Sequence, residues 1–337
     1  MNVLENYDLT KWNTFGVKAN ARFFVEIESE EDLHELFQSE TFKQHTRLFL
    51  GGGSNILFVK DFDGIVIANK LQGINIVSEN EHDVLVRSMS GVVWQDLVSF
   101  CVGRGYWGIE NLSSIPGTVG GSPVQNIGAY GAELKSTLDS VEVFDIETGE
   151  KGVLSKEECE LGYRDSVFKS RLKGKYFISA IVLRLSKAPR INISYKVLEN
   201  YLKDNNIEVK TPADISSAVT AIRKSKLPDP KVTGNAGSFF KNVFVSKEKL
   251  DEMKSSCPDL PHFEEGGVIK IPTGWLIEQC GFKGKTEGHV GMHDKQALVL
   301  VNHGGATGQE IKDFAMKIID CVQNKFGLTL TPEVNFV

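Results

Sequence analysis

The sequence predicts an α+β fold divided into more than one domain, and three observations carry that prediction. The chain has 337 residues, more than one hydrophobic core ordinarily serves, so two or three domains are expected. Short apolar runs of strand character alternate with amphipathic helical runs through the first half, while two capped helices set among Gly-rich loops dominate the last third. The composition is that of an ordinary globular protein, 41% hydrophobic and 24% charged, without a biased tract.

In chain order, ARFFVEI (21–27) reads as a strand, and Ser29 followed by an acidic first turn starts a helix to about Gln38. RLFL (47–50) is a strand that runs directly into GGGSN. GIVIA and DVLVRSM are further strands, and VVWQDLVSFC is a helix. DSVEVFDIETGEKGVL, from 139, reads as a hairpin around Thr148-Gly149, and YFISAIVLRLS (176–186) as a long strand. Residues 188–210 read as a polar connection. Thr211-Pro212-Ala213-Asp214 then starts a helix with Ile215, Val219 and Ile222 on one face. QALVLVN (296–302) is a strand. A second capped helix starts at Thr307 with Glu310 three residues on, carries Ile311, Phe314, Ala315, Ile318 and Val322 inward, and stops at Gly327. A terminal strand, LTPEVNFV, follows.

Several function classes are excluded or disfavoured. No run of 18 apolar residues exists, so no membrane span is expected, and MNVLENYDLTKW has no export-signal profile. The net charge of −6 argues against nucleic acid as a partner. Five scattered cysteines without a C-x-x-C look like reduced cytosolic thiols. A cytoplasmic monomer is expected. His289 and His293 in HVGMH lack the glutamate of a zinc helix, so no metal is expected. GRGYWG (103–108) satisfies G-x-G-x-x-G but follows a helix pattern, so Gly103 and Gly105 read as a helix stop.

Two glycine-rich loops are candidate anion cradles. In LGGGSN (50–55), Gly51, Gly52 and Gly53 let backbone N–H groups converge on an anion beside Ser54 and Asn55, although a tight turn explains the same residues. NLSSIPGTVGGSPVQNIGAYGAEL (111–134) is the stronger signal. From Ser113 to Tyr130 it has no charged side chain, yet it is dense in Gly, Ser, Pro and Asn. An exposed loop of that length would carry charges, and a buried one needs partners for its backbone donors. A diphosphate-bearing cofactor supplies acceptors, and Ile115, Val119 and Ile127 could pack on a flat ring. Together the loops predict a dinucleotide held by backbone amides in a non-Rossmann arrangement.

Four side chains are candidates for chemistry, each with a simpler reading beside it. Ser238 in GNAGSFFKN (234–242) could be a nucleophile, a proton donor, a phosphate contact or the end of a turn. Arg164 in LGYRDSVFK could be a surface ion pair with Asp165, Glu333 a solvated edge residue, and Lys226 a helix C-terminal cation.

These residues fall into a known pattern. NTFGVKANARFF, LGGGSNILF, LSSIPGTVGGSPVQNIGAYGAE, YRDSVFK, KLPDPKVTGNAGSFFKN, GWLIEQCGFKG, HDKQALVLVN and TPEVNF occur in the order and approximate spacing found in UDP-N-acetylenolpyruvoylglucosamine reductases. The chain resembles that family from about Trp12 to Phe336, and INISYKVLENYL, with Tyr195, resembles the subgroup with a tyrosine-bearing insertion.

The resemblance implies a two-lobed FAD-binding domain of the vanillyl-alcohol-oxidase type over 1–187, with lobes at about 1–70 and 71–187. It further implies a connecting insertion at 188–210 and a C-terminal α/β substrate-binding domain over 211–337, whose terminal strand returns Glu333 to the active site. It implies non-covalent FAD, NADPH as reductant, and reduction of a UDP-sugar enolpyruvyl ether in bacterial peptidoglycan precursor synthesis. By residue match, Gly51, Gly52, Gly53, Ser54, Asn55, Ser114, Ile115, Pro116, Gly117, Thr118, Gly121, Ile127, Gly128 and Arg223 would contact the cofactor. Arg164 and Glu333 would stabilise an enolic carboxylate, and Ser238 would donate the proton. Tyr195, Lys226, Asn242 and Gln296 match positions that bind the UDP part, and Tyr130 a position near the substrate. One residue departs from the pattern: Asn335 stands where family members commonly have arginine.

Three rivals remain on sequence grounds. An FAD-linked oxidase could use the same scaffold. A serine hydrolase would lack a G-x-S-x-G elbow. A catalytically silent sugar-nucleotide-binding protein would keep the UDP site alone.

Overall fold

The structure is a computed structural model and describes residues 1–265 and 267–337. By packing, the chain divides into two compact units. One holds Met1–Tyr7, Ala21–Gly52 and Phe62–Ser225, and the other holds Asp8–Asn20, Gly53–Asp61 and Lys226–Val337.

That division differs from the expected boundaries at 187 and 211. All but the last residue of the helix Pro212–Lys226 belongs with the first unit. Its apolar face explains why: Ile215, Ala218, Val219 and Ile222 bury against Trp107, Leu198 and Leu202. Leu198 and Leu202 come from a helix, Lys196–Asp204, inside what the sequence presents as a polar connection. In the other direction, residues 8–20 and 53–61 pack with the C-terminal unit. The Asn302 amide donates to the Phe15 carbonyl at 2.9 Å, the Asn235 N–H to Thr14 at 2.9 Å, and the Val59 N–H to Val337 at 2.7 Å.

The first unit is built mainly on two sheets. A four-stranded sheet runs in the order Leu4–Asp8, Asn20–Ile27, Phe62–Asn69, Thr46–Leu50. Its buried central strand pairs in parallel on both sides, with Phe24 and Leu48 both opposite Val66. The helices Glu30–Gln38 and Glu40–Gln44 carry the chain from Asn20–Ile27 across to Thr46–Leu50, the two parallel partners of that central strand. The first of them starts with the expected capping box, Ser29 with Asp32.

The second sheet has five strands in the order Lys151–Ser155, Leu138–Asp145, Tyr176–Ser186, Asp83–Met89, Ile74–Glu79, all antiparallel. Its central strand is the long apolar run read from the sequence. Val86, Val141, Ile181 and Leu183 form a core with Trp94, Leu97 and Cys101 of the helix Trp94–Val102. That helix ends at Gly103, as its glycines predict.

The second unit is built on a four-stranded antiparallel sheet in the order Gly234–Asn235, Leu300–Asn302, Val290–Met292, Thr286–Glu287. The expected strand over 296–302 shortens to its last three residues. The helix Gly308–Phe326 begins with the Thr307–Glu310 capping box, buries the five predicted apolar residues and stops at a left-handed Gly327. The terminal strand contracts to Asn335–Phe336, which pairs in parallel with Ile56–Leu57. Among the described residues no helix is long and apolar enough to cross a membrane.

The start of the Gly308–Phe326 helix yields a stability test. A Cβ on Gly308 would run into the Phe58 carbonyl and lie 2.9 Å from the Val59 Cα. Alanine is the better helix former by about 1 kcal/mol, but a clash with fixed backbone costs about 1–3 kcal/mol. Gly308→Ala is therefore expected to lower the urea unfolding midpoint. Gly152→Ala, whose Cβ would make an ordinary 3.5 Å contact with Val143, leaves it nearly unchanged.

Candidate active site

In the first unit, the uncharged loop is held from behind by its own chain. The Trp94 N–H donates to the Gly117 carbonyl at 3.0 Å, Val119 to Val92 at 2.9 Å, and Gly120 to Ser90 at 2.8 Å. The buried Trp94 indole N–H adds a bond to the Leu112 carbonyl at 2.9 Å. Against this loop lies the first glycine run. A Cβ on Gly51 would collide with the Thr118 hydroxyl, and one on Gly52 would come 3.0 Å from the Gly117 Cα. Only glycine allows the two backbones to approach so closely. The N–H groups of Gly52, Ile115, Gly117 and Thr118 make no hydrogen bond among the described residues.

One face of the helix Pro212–Lys226 grips the same loop. Ser113 donates to the Ser216 hydroxyl at 2.8 Å, Ser114 and Thr220 share a hydrogen bond at 3.0 Å, and Arg223 Nε donates to the Ser114 carbonyl at 3.1 Å. Burial pulls the Arg223 guanidinium below its ordinary value, opposed only by the Tyr130 phenol. Available amide donors beside a desolvated cation suit a diphosphate. The residues therefore fit a dinucleotide cofactor. They fit the expected ring contacts less well. Val119 is fully buried and Ile127 nearly so, both in the hydrophobic core, which leaves Ile115 as the half-buried apolar residue of the three.

Arg164 and Tyr130 share an unusual backbone. Ser114, Asn126, Tyr130 and Arg164 have φ of 60°, 43°, 48° and 51°, a conformation that costs a non-glycine residue about 1–3 kcal/mol and concentrates at functional sites. The Arg164 guanidinium donates to the Asn126 carbonyl at 3.3 Å and the Gly128 carbonyl at 2.7 Å. Gly128 lies so close that a Cβ there would be 2.9 Å from Nη1. Tyr130 packs edge-on against Tyr195, centroids 5.5 Å apart. Burial raises the Tyr130 phenol, Arg223 opposes that, and Tyr195 adds to it.

In the second unit, backbone pairing joins the segment that follows Ser238 to the one that carries Glu333. The Glu333 N–H donates to the Phe239 carbonyl at 2.8 Å, and the Lys241 N–H to Thr331 at 3.0 Å. Phe239 and Phe240 are buried, whereas Ser238 is exposed just after left-handed Gly237. The Asn55 amide donates to the Glu333 carbonyl at 3.4 Å, and the Asn335 amide and N–H return bonds to the Asn55 carbonyl at 2.9 and 3.1 Å. Asn335 thus clamps backbone. Gly53, also in this unit, has φ of 62° and faces the Trp12 carbonyl.

Asn242 accepts from the Thr273 N–H at 3.1 Å, and Gln296 lies 3.5 Å from where a Cβ on Gly274 would stand. Both therefore meet the start of the helix Thr273–Gln279. Lys226 is exposed at the end of its helix, and Gly121 borders open space. Among the described residues no cluster of His, Cys, Asp and Glu could hold a metal ion.

Comparison with known proteins decides the family. Residues 229–337 match the family described as UDP-N-acetylenolpyruvoylglucosamine reductase, C-terminal domain, and residues 21–153 match the FAD binding domain. The chain is 44% identical to a UDP-N-acetylenolpyruvoylglucosamine reductase of Chromobacterium violaceum, covering 97% of this chain and 96% of that one. The chain belongs to the UDP-N-acetylenolpyruvoylglucosamine reductase family. The family's Flavobacterium johnsoniae member is 43% identical over the full length of both chains. A crystal structure of the Thermus caldophilus reductase shares the fold, with a TM-score of 0.67 at 22% identity over 99% of this chain and 98% of that one. A solvent-stable cholesterol oxidase gives 0.51 at 9% identity, covering 98% and 86%, so that scaffold extends beyond the reductases.

Sequence reasoning missed the residues that hold the uncharged loop in place: Asn111, Ser113, Ser216 and Thr220. A signal was present for two of them, since Ser216, Thr220 and Arg223 recur at helical spacing on one face of an otherwise apolar pattern.

The close approach at Gly51 is testable. Gly51→Ala is expected to purify with little flavin and an intact fold, read as visible absorbance per polypeptide beside the far-ultraviolet circular dichroism spectrum. Adding Thr118→Ala, which removes the colliding hydroxyl, restores part of the flavin.

Proposed function

We infer that this chain is an NADPH-dependent flavoenzyme that reduces the enolpyruvyl ether of UDP-N-acetylglucosamine enolpyruvate to UDP-N-acetylmuramate, a step in making peptidoglycan precursor. The observation that carries the reading is identity to a named reductase along nearly the whole chain, joined to a cradle of amides and a desolvated arginine that suits FAD. The UDP-sugar and NADPH are cytosolic metabolites, so we assign the enzyme to the cytoplasm and take it to act as a monomer. The helix Lys196–Asp204 after Tyr195 supports membership of the subgroup with the tyrosine-bearing insertion.

FAD, when bound, supplies to the substrate's terminal methylene carbon the hydride it has taken from NADPH. The residues nominated as its cradle are Gly51 to Asn55, Ser114 to Thr118, Gly121, Ile127, Gly128 and Arg223. The remaining work falls to side chains. Hydride addition leaves negative charge on the neighbouring carbon, delocalised into the carboxylate, and that charge needs a cation and hydrogen-bond donors already in place. We assign this to Arg164 and to Glu333 as a protonated donor. The left-handed backbone and two carbonyl bonds that fix the Arg164 guanidinium support its part, because a held cation loses little on reaction.

Ser238 then delivers a proton to the carbon beside the carboxylate. A hydroxyl is a weak acid, so it serves only against a strongly basic carbon, with Lys226 or Lys241 as the cation that eases the alkoxide. The bond between Glu333 and Phe239, one residue from Ser238, supports a joint role. Tyr130, Tyr195, Lys226, Asn242 and Gln296 hold the nucleotide sugar, with Lys226 a point charge for its diphosphate.

Ser238→Ala separates the two half-reactions by stopped-flow absorbance. Flavin reduction by NADPH is expected to stay within about threefold of wild type. Reoxidation by the enolpyruvyl sugar should fall about 10²- to 10⁴-fold, the range for a general acid. Equal losses in both half-reactions would contradict the assignment.

A further inference from the structure

We propose that Asn111 is a positioning residue that holds Tyr130 and Tyr195 as a single element for the nucleotide-sugar substrate. The proposal rests on the reading that these two tyrosines bind substrate. Asn111 lies in the short turn Glu110–Leu112 and is 2% exposed. Both hydrogens of its amide are used, one on the Tyr130 carbonyl and one on the Asn192 carbonyl, each at 2.9 Å. Those carbonyls belong to different segments, the uncharged loop and the chain leading into Tyr195.

A second pair of bonds closes the same stitch. The Asn192 amide donates to the Gly131 carbonyl at 3.0 Å, and its oxygen accepts from the Ser194 hydroxyl at 3.0 Å. Gly131 has φ of 80°, and a Cβ there would lie 3.6 Å from Asn192, Ser194 and Tyr195 alike. The left-handed backbone at Tyr130 turns its carbonyl toward Asn111 while its ring meets Tyr195.

Tyr195 is 47% exposed, so core packing does not hold its ring. The hydrogen bonds to the backbone on either side of the tyrosine pair supply that constraint. A primary amide places two donors on one atom without bringing a charge into this buried position. A carboxylate would face two carbonyl oxygens with no hydrogen to offer, and a hydroxyl has one. Removing the donors leaves two carbonyls without them and lets the two tyrosine segments move independently.

The test is equilibrium binding of UDP-N-acetylmuramate to the oxidised, FAD-loaded enzyme, followed by the change in flavin absorbance, in a double-mutant cycle. Asn111→Ala is expected to weaken binding about ten- to a hundredfold, with flavin content unchanged. Tyr195→Ala also weakens it, and in that background Asn111→Ala adds no more than about threefold. Independent, multiplying losses would overturn the positioning role and leave the reading of Tyr195 intact. Undiminished binding by Tyr195→Ala would overturn that reading, and this proposal with it. Should Asn111→Ala not fold, Asn192→Ala enters the same cycle from the outer side of the stitch, with the same non-additivity expected and the same overturning result.

Discussion

The proposed chemistry depends on one short piece of backbone pairing, in which residues 239–241 lie against 331–333. Hydrogen bonds alone do not secure it, since each contributes about 0.5–1.5 kcal/mol net. The larger share comes from Phe239 and Phe240, both nearly inaccessible to solvent, at about 1.5–3 kcal/mol for each fully buried side chain. Phe239 meets Phe15 and Phe336. With the two rings anchored inward, the preceding Ser238 emerges at the surface and the chain terminus is drawn alongside. A serine next to two phenylalanines thus has a physical logic under the proposed role: the rings would fix the backbone that carries the hydroxyl.

The proposed cofactor cradle solves a different problem by different means. It would recognise an anion chiefly through main-chain amides, which demand close backbone approach, small residues and an absence of competing charge. Gly51 against Thr118 and Gly52 against Gly117 meet that demand. The cost appears as left-handed backbone at Ser114, Asn126 and Tyr130. It is offset by the buried Trp94 beneath the loop and by the hydroxyls and Arg223 of the neighbouring helix, so stability elsewhere holds the site in a conformation its own residues disfavour.

What was legible in the sequence follows the range of the interactions. Capping boxes at Ser29 and Thr307, the helix stop at Gly103 and the strand Tyr176–Ser186 depend on neighbours a few residues apart, and the pattern names them. The close approach of the two glycine-rich loops was legible because backbone packed against backbone leaves a compositional trace, dense in glycine and free of charge. The domain division was not, because it rests on pairings such as Asn302 with Phe15 across most of the chain. Asn111 was equally silent: its partners are a carbonyl in its own loop and one far along the chain, and neither constrains a residue type. Asn335, noticed as a departure from its family, proves to clamp Asn55, a use that spacing alone does not reveal.

The most direct test is a visible absorption spectrum of the purified protein, taken anaerobically before and after NADPH and again after UDP-N-acetylglucosamine enolpyruvate. A flavin spectrum that bleaches with NADPH and returns with the enolpyruvyl sugar is expected. A protein that stays colourless when FAD is added, or a bleached flavin that the sugar leaves bleached, would contradict it.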